Sequence, residues 1–337
     1  MRARTLQGAV SAVWYGQHPL SLLLAPLSWL YCAIIRLRRL AYAGGLARVH
    51  RLGVPVVVVG NITVGGTGKT PLVIWVARYL RAQGFNPGIV TRGYGGRARH
   101  WPQQVRADSD PDAVGDEAVL LARRGACPVA AAGRRRVDAA HSLIQYAGCD
   151  VIVSDDGLQH LALGRDLEID VLDGARRFGN GRCLPAGPLR EPSSRLGEVD
   201  MVVAYGRGGR GEFTMEYVSL GLRRLLDDRP RAPNIFADQP VHVVAGIGDP
   251  SRFFTQLRSL GLQVLEHPFD DHHRYKPADL EFGDGHPVLM TEKDAVKCRR
   301  FAQPNHWYLP VEAKLHDAFG IRLMTLLKRK RHGQEAA

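Results

Sequence analysis

The run Val54 to Val59 (VPVVVV) leads directly into Gly60 to Thr70 (GNITVGGTGKT), and from there into Pro71 to Gln83 (PLVIWVARYLRAQ). An unbroken β-branched run is a strand buried on both faces, which calls for a mostly parallel sheet covered by helices. The third segment has helical spacing, with proline at its start, where a missing N–H costs nothing. The small residues between them let backbone N–H groups close around phosphates, and the helix N-terminus adds a favourable dipole. This is the context of a P-loop, with Thr63, Val64, Gly65, Gly66, Thr67, Gly68, Lys69 and Thr70 as the nucleotide-binding residues. Lys69 is placed to reach the β- and γ-phosphates of ATP, and Thr70 to take a Mg²⁺ position. One departure stands out: Thr63 occupies the place of the usual first glycine.

The rest of the chain alternates in the same way. Strands are predicted at 88–91, 128–131, 149–154, 169–172 and 201–204, with helices at 118–124 and 134–147 between them. A glycine-rich link, Gly206 to Gly211 (GRGGRG), separates this part from a smaller α/β unit. That unit has predicted strands at 241–245, 263–266 and 288–291 and a helix at 250–260. A final helix is predicted over 313–331, ending in Lys328 to Arg331 (KRKR), read as a solvated tail. The expected organisation is an N-terminal segment (1–50), a P-loop core (51–206), a smaller α/β domain (207–312) and a C-terminal helix with a basic tail (313–337). No repeat at solenoid or propeller period is present.

Charge is distributed unevenly. From Met1 to Arg106 there are fourteen Lys or Arg and no acid, so the first third carries more than the whole net +12 and the rest of the chain sums to −2. Within that third, Pro19 to Ile35 (PLSLLLAPLSWLYCAII) is uncharged and mostly apolar, and Arg36, Arg38 and Arg39 follow at once. Basic residues abutting an apolar run with Trp29 and Tyr31 suit the surface of a membrane rich in anionic phospholipid. Seventeen residues interrupted by Pro26 are at the short limit for spanning, and the order of charge and apolar run is wrong for a secretory signal. The expectation is a monotopic helix on a cytoplasmic membrane face. Nucleic-acid binding has only net charge in its favour, with no aromatic platform or recognised motif. The five cysteines are far apart and never form C-x-x-C, which fits a reducing compartment without disulfides or a zinc site. No obligate protein partner is evident.

Chemistry-bearing residues gather at strand ends. Asp155 and Asp156 follow a buried strand, where a P-loop protein wants carboxylates for Mg²⁺. Asp116 and Glu117 open a helix, and Asp116 can serve as an N-cap or take a proton from an acceptor hydroxyl. Asp270 to His273 (DDHH) suits a metal site or a partner that orients a catalytic carboxylate. Thr91 to Gly96 (TRGYGG) places Arg92 after a strand, where an anionic acceptor would bind. Thr291 to Asp294 (TEKD) has its lysine one place late for the guanine-reading motif of a GTPase.

Taken together, these motifs resemble the tetraacyldisaccharide 4′-kinase family. The resemblance rests on Asn61 to Pro71, Thr91 to Gly96, Val114 to Glu117 (VGDE), Ser154 to His160 (SDDGLQH) and Leu184 to Glu191 (LPAGPLRE). It continues through Asp270 to Tyr275 (DDHHRY) and Thr291 to Lys297 (TEKDAVK), in the family's order along nearly the whole chain. Thr63 in the P-loop is itself typical of the family. The resemblance implies transfer of the ATP γ-phosphoryl group to the 4′-hydroxyl of a tetraacyldisaccharide 1-phosphate, a lipid A precursor, giving lipid IVA at the cytoplasmic face of the inner membrane. By motif, it implies Asp116 as the catalytic carboxylate and His272, ahead of His273, as its partner across a closing cleft. Glu117, Asp155 and Asp156 become Mg²⁺-site or phosphate-site acids, Arg92, Tyr94, Gln159 and His160 face the disaccharide, and Arg190 lies near the reacting phosphates. A membrane-associated ATPase or GTPase switch, or a metal-insertion factor, is the alternative reading.

Overall fold

The computed structural model describes residues 2–16, 18–236 and 238–335. Among the described residues, fifteen strands form two sheets. The strands of the first part are β1 (Val56–Gly60), β2 (Pro87–Thr91), β3 (Gln103–Val105), β4 (Val129–Ala131), β5 (Val151–Asp155), β6 (Leu167–Asp173), β7 (Met201–Tyr205) and β8 (Phe213–Ser219). Next come β9 (Leu222–Arg224), β10 (Pro230–Arg231), β11 (Pro240–Ala245), β12 (Gln263–Pro268), β13 (Val288–Thr291) and β14 (His306–Leu309), and last β15 (Val311–Leu315). The larger sheet has the order β15-β8-β7-β6-β1-β5-β2-β4-β3 and the smaller β10-β9-β14-β13-β11-β12. The larger is parallel from β8 to β4 and closed by an antiparallel strand at each edge.

The helices are α1 (Arg2–Tyr15), α2 (Leu20–Leu23), α3 (Ala25–Ala43), α4 (Lys69–Ala82), α5 (Pro111–Val114), α6 (Asp116–Arg124), α7 (Arg136–Ala147), α8 (Pro250–Ser259), α9 (Glu292–Cys298) and α10 (Asp317–Glu335). The β-branched run of β1 is apolar throughout because both its faces are covered. Val57 and Val59 pack with Leu72, Val76 and Leu80 of α4 and with residues of α6 and α10. Val56 and Val58 pack with Ala139, Ala140 and Leu143 of α7, and Tyr31 and Cys32 of α3 lie against that same cluster. Within the larger sheet, β1 lies between β5 and β6, so the strand order reverses there. Ligands of open α/β sheets bind at the C-terminal ends of strands at such a reversal.

Two stretches differ from the sequence-based expectation. Residues 313–315 join β15 and the helix begins at Asp317, because Val311 to Leu315 alternates and pairs antiparallel with β8. The change of sheet falls between Ser219 and Leu222, later than the glycine-rich link. In the basic tail, Lys328, Arg329 and Lys330 are exposed, and the Arg331 side chain lies outside the described residues.

The N-terminal helices are arranged inside out. Ser21, Ala25 and Ser28 are buried, while Leu22, Leu23, Leu27, Trp29, Leu30, Ile34, Leu37 and Leu40 are each more than half exposed. Among the described residues, no helix is long and apolar enough to cross a membrane.

Leu80→Ala removes a fully buried side chain from α4 and is expected to cost about 2–5 kcal/mol. Thermal unfolding checks this, and an unchanged melting temperature would contradict the packing of α4 on the sheet.

Candidate active site

The loop after β1 is fixed from two sides. The Ile62 amide donates to Asp170 Oδ1 of β6 at 2.9 Å. The Val64 amide donates to the Pro188 carbonyl at 2.8 Å and the Arg190 amide to the Ile62 carbonyl at 2.6 Å. Thr63 forms a β-bridge with Leu189. Thr63 therefore holds an ordinary extended backbone, whereas Gly65 (φ 111°) and Gly68 (φ 88°) occupy the left-handed region that favours glycine. This explains why the pattern tolerates threonine at its first position. A Cβ on Gly68 would also lie 2.1 Å from Tyr217 Oη. Helix α4 starts at Lys69 with no side-chain cap, which leaves its first amides available to an anion. Lys69 Nζ lies 3.1 Å from Asn61 Oδ1 and 3.5 Å from Asp156 Oδ1.

Strand β5 delivers Asp155 and Asp156 to the same mouth. Asp155 is buried; its Oδ2 accepts from Thr91 Oγ1 at 3.2 Å, and its Oδ1 has no partner among the described residues. Burial, then the negative charges of Glu117 and Asp156, push its carboxyl well above the usual carboxylate range. Asp156 sits at φ 49°, with Arg190 Nη1 2.9 Å away. Burial opposes its ionisation, but Lys69, Arg190 and Arg136 together hold its pKa down to about 2. Among the described residues no three His, Cys, Asp or Glu converge as a ready metal cluster. A divalent cation nevertheless suits the unpartnered Asp155 oxygen, because it would offset the negative charges of Glu117 and Asp156 that act on it.

A second unit reaches this mouth through a histidine. Asp116, the first residue of α6, is buried. His272, in the loop after β12 at φ 60°, places Nδ1 3.1 Å from Asp116 Oδ2 and 3.2 Å from Oδ1. The cleft partner expected from the sequence is already in contact. On the far side of the ring, Nε2 lies 3.3 Å from Lys293 Nζ, and that ammonium also meets Glu117 Oε1 at 3.2 Å and Asp271 Oδ1 at 3.3 Å. Burial raises the Asp116 pKa, but the His272 hydrogen bond and the charges of Lys293, His272 and Lys297 outweigh it and hold the group at about 2. The same balance raises His272: burial and Lys293 lower its pKa, and its hydrogen bond with Asp116 and the charges of Asp116 and Asp271 raise it by more. His273 points elsewhere, with Nε2 3.0 Å from Asp279 Oδ2, so the two histidines do not join in a metal site.

The other expected residues divide into two groups. Tyr94 is exposed, its ring 4.7 Å from that of His272, and Arg92 lies over Tyr94 at 6.0 Å. Gln159 faces inward: its Nε2 donates to the Asn61 carbonyl at 3.1 Å and to Glu191 Oε1 at 2.7 Å. His160 lines a cavity of about 290 Å³ with His50, Arg134, Arg135 and His141. Burial, then the charges of Arg136, Arg165, Arg38 and Arg92, push its pKa down to about 4. Lys293, Asn61 and Glu191 carry much of the network, although the sequence motifs that contain them assign them no role. Lys293 stands just past a buried strand, the same signal that marks Asp155, and lies in a family motif, yet the motif alone gives it no role.

Residues 20–328 match the family model described as tetraacyldisaccharide-1-P 4′-kinase. The chain belongs to that family. Curated relatives called tetraacyldisaccharide 4′-kinase include one from Nitrosococcus oceani, 54% identical over 94% of this chain and 93% of its own. Another, from Alkalilimnicola ehrlichii, is 56% identical over 91% and 92%. A crystal structure of LpxK from Aquifex aeolicus, described as an apo form in complex with ATP, has a TM-score of 0.77 at 29% identity. It covers 92% of this chain and 99% of that one.

The Asp116–His272 pair predicts a signed pH effect on stability. A raised histidine pKa contributes stability that is full below the unfolded value of 6.5 and is lost as pH rises through the folded value. His272→Ala should therefore lower the melting temperature most below pH 6.5 and progressively less as pH rises above it. An equal loss at both ends would contradict the pair.

Proposed function

We propose that the chain is an ATP-dependent kinase that transfers the γ-phosphoryl group to the 4′-hydroxyl of a tetraacyldisaccharide 1-phosphate, forming lipid IVA. The observation that carries this is the Asp116–His272 contact, made across two units beside a phosphate loop ending in Lys69–Thr70. A nucleotide switch needs no such base, and family membership supplies the acceptor.

In this reading the amides of residues 63–68 and the N-terminus of α4 cradle the phosphates, and Lys69 neutralises charge on the transferring group. Asp116, kept ionised by His272 and Lys293, accepts the proton of the 4′-hydroxyl as the new P–O bond forms and the bond to ADP breaks. Closure between the units around this pair excludes water that would otherwise hydrolyse ATP. Thr70, Asp155, Asp156 and Glu117 are the residues that would hold Mg²⁺, which would neutralise charge on the triphosphate. Arg190, through Asp156, stands at the phosphate site. Arg92, Tyr94 and His160 mark the disaccharide side, while Gln159 braces Asn61.

The acceptor carries four acyl chains and leaves a bilayer only at a cost of about 0.8 kcal/mol per CH₂. The outward leucines of α2 and α3 supply an apolar face that rests on the membrane, and the exposed Arg36 and Arg38 suit anionic phospholipid headgroups on the cytoplasmic side of the inner membrane.

Two measurements test this reading. With γ-labelled ATP and the disaccharide 1-phosphate in detergent, label should enter the lipid. Asp116→Ala should lower kcat by about 10²–10⁴-fold with ATP affinity retained, while Lys69→Ala weakens both. Wild-type transfer by Asp116→Ala would remove the assigned base. Separately, Leu23→Ser with Leu30→Ser should reduce co-sedimentation with phosphatidylglycerol vesicles; undiminished association would place the membrane contact elsewhere.

A further inference from the structure

We propose that α3, beyond resting on the membrane, braces the phosphate loop, and that Ser28 and Tyr31 are positioning residues for ATP. The proposal rests on the kinase reading only for its biological meaning; the contacts stand without it.

The protein-facing side of α3 is specific rather than greasy. Ser28 Oγ donates to the Cys183 carbonyl at 2.8 Å, and Ser28 is only 4% exposed. One turn on, Tyr31 Oη donates to the Arg190 carbonyl at 2.9 Å. Positions three apart share a helix face, so α3 grips the segment 183–190 near both its ends. Trp14 of α1 adds a third hold, its indole N–H donating to the Pro185 carbonyl at 3.0 Å.

The other side of that segment is joined to the phosphate loop. Pro188 accepts from the Val64 amide, and the Arg190 amide donates to Ile62. The Arg190 side chain meets Asp156, which in turn faces Lys69. Glu191 accepts from Gln159, whose amide also donates to Asn61, the residue that takes a hydrogen bond from Lys69. A carbonyl gripped by Tyr31 therefore belongs to the residue whose amide and side chain shape both walls of the phosphate site. Arg39, further along α3, lies 3.7 Å from Glu191 Oε2 and extends the seam.

A plain anchor would need none of this. An amphipathic helix held by apolar packing seats on a core through Leu and Val, whereas here the leucines face outward and Ala25, Ser28, Tyr31 and Cys32 face inward. The consequence is that the element touching the bilayer and the element touching ATP share one segment, so disturbing the seam should be felt as nucleotide affinity.

The test uses the full-length chain in detergent micelles: wild type, Tyr31→Phe, and Ser28→Ala with Tyr31→Phe. ATP affinity by titration calorimetry needs no acceptor, so it remains informative even if label never enters the glycolipid, an outcome that would overturn the kinase reading alone. The double variant should bind Mg·ATP about 5- to 30-fold more weakly, raise KM for ATP more than it lowers kcat, and associate with phosphatidylglycerol vesicles as wild type does. Tyr31→Phe removes one hydroxyl and should show a smaller change of the same sign, which keeps the test usable if the double variant unfolds. Wild-type ATP affinity in both, or weakened vesicle association with ATP affinity intact, would make α3 an anchor only and overturn the proposal.

Discussion

The half-buried ammonium of Lys69 is the charge around which the rest of the site is organised. A cation held in the mouth of a sheet is costly unless it is paired and hydrogen-bonded. Here Asn61 and Asp156 meet that need. Asp156 would itself be costly there without Arg190, and Arg190 is held in place by the segment that β-bridges to the loop. The chain of requirements runs outward from one side chain to the loop, to the 183–191 segment and to α3. Because Lys69 already has partners, a triphosphate would exchange with them rather than rescue an orphaned charge.

The second constraint is the burial of Asp116. A carboxylate at that depth stays ionised only because His272, Lys293 and Lys297 surround it, and all three come from the part of the chain that builds the smaller sheet. Helix α9 supplies both lysines and packs Val296 into the core of the larger sheet. Its first residue, Glu292, pairs with Arg124 at the far end of α6. The carboxylate is thus held by two units, and its charge state depends on their apposition.

Much of this was legible in the sequence for a physical reason. Buried parallel strands need β-branched runs, and their C-terminal ends collect chemistry, so β1, β5 and the residues after them announce themselves. The family's motifs then pointed to the His272 pairing, which spans 156 positions and has no local signature. What stayed hidden was of two kinds. Strand β15 is short, half-exposed and paired only with the sequence-distant β8, so propensity could not separate it from the helix after it. Gln159, expected to face the sugar, instead braces Asn61, because a side chain's direction depends on neighbours far away in the chain. The inside-out character of α3 was half visible: the apolar run was plain, but which of its faces would meet the protein was not.

The central claim is that the loop from Asn61 to Thr70 grips the phosphates of ATP. Hydrogen–deuterium exchange of the full-length chain with and without Mg·ATP tests it most directly. Amides from Val64 to Thr70 should become protected on adding nucleotide, while those of distant β12 stay as they were. If exchange across residues 64–70 were the same with saturating Mg·ATP as without it, the phosphates would bind elsewhere and the assignment of the site would be wrong.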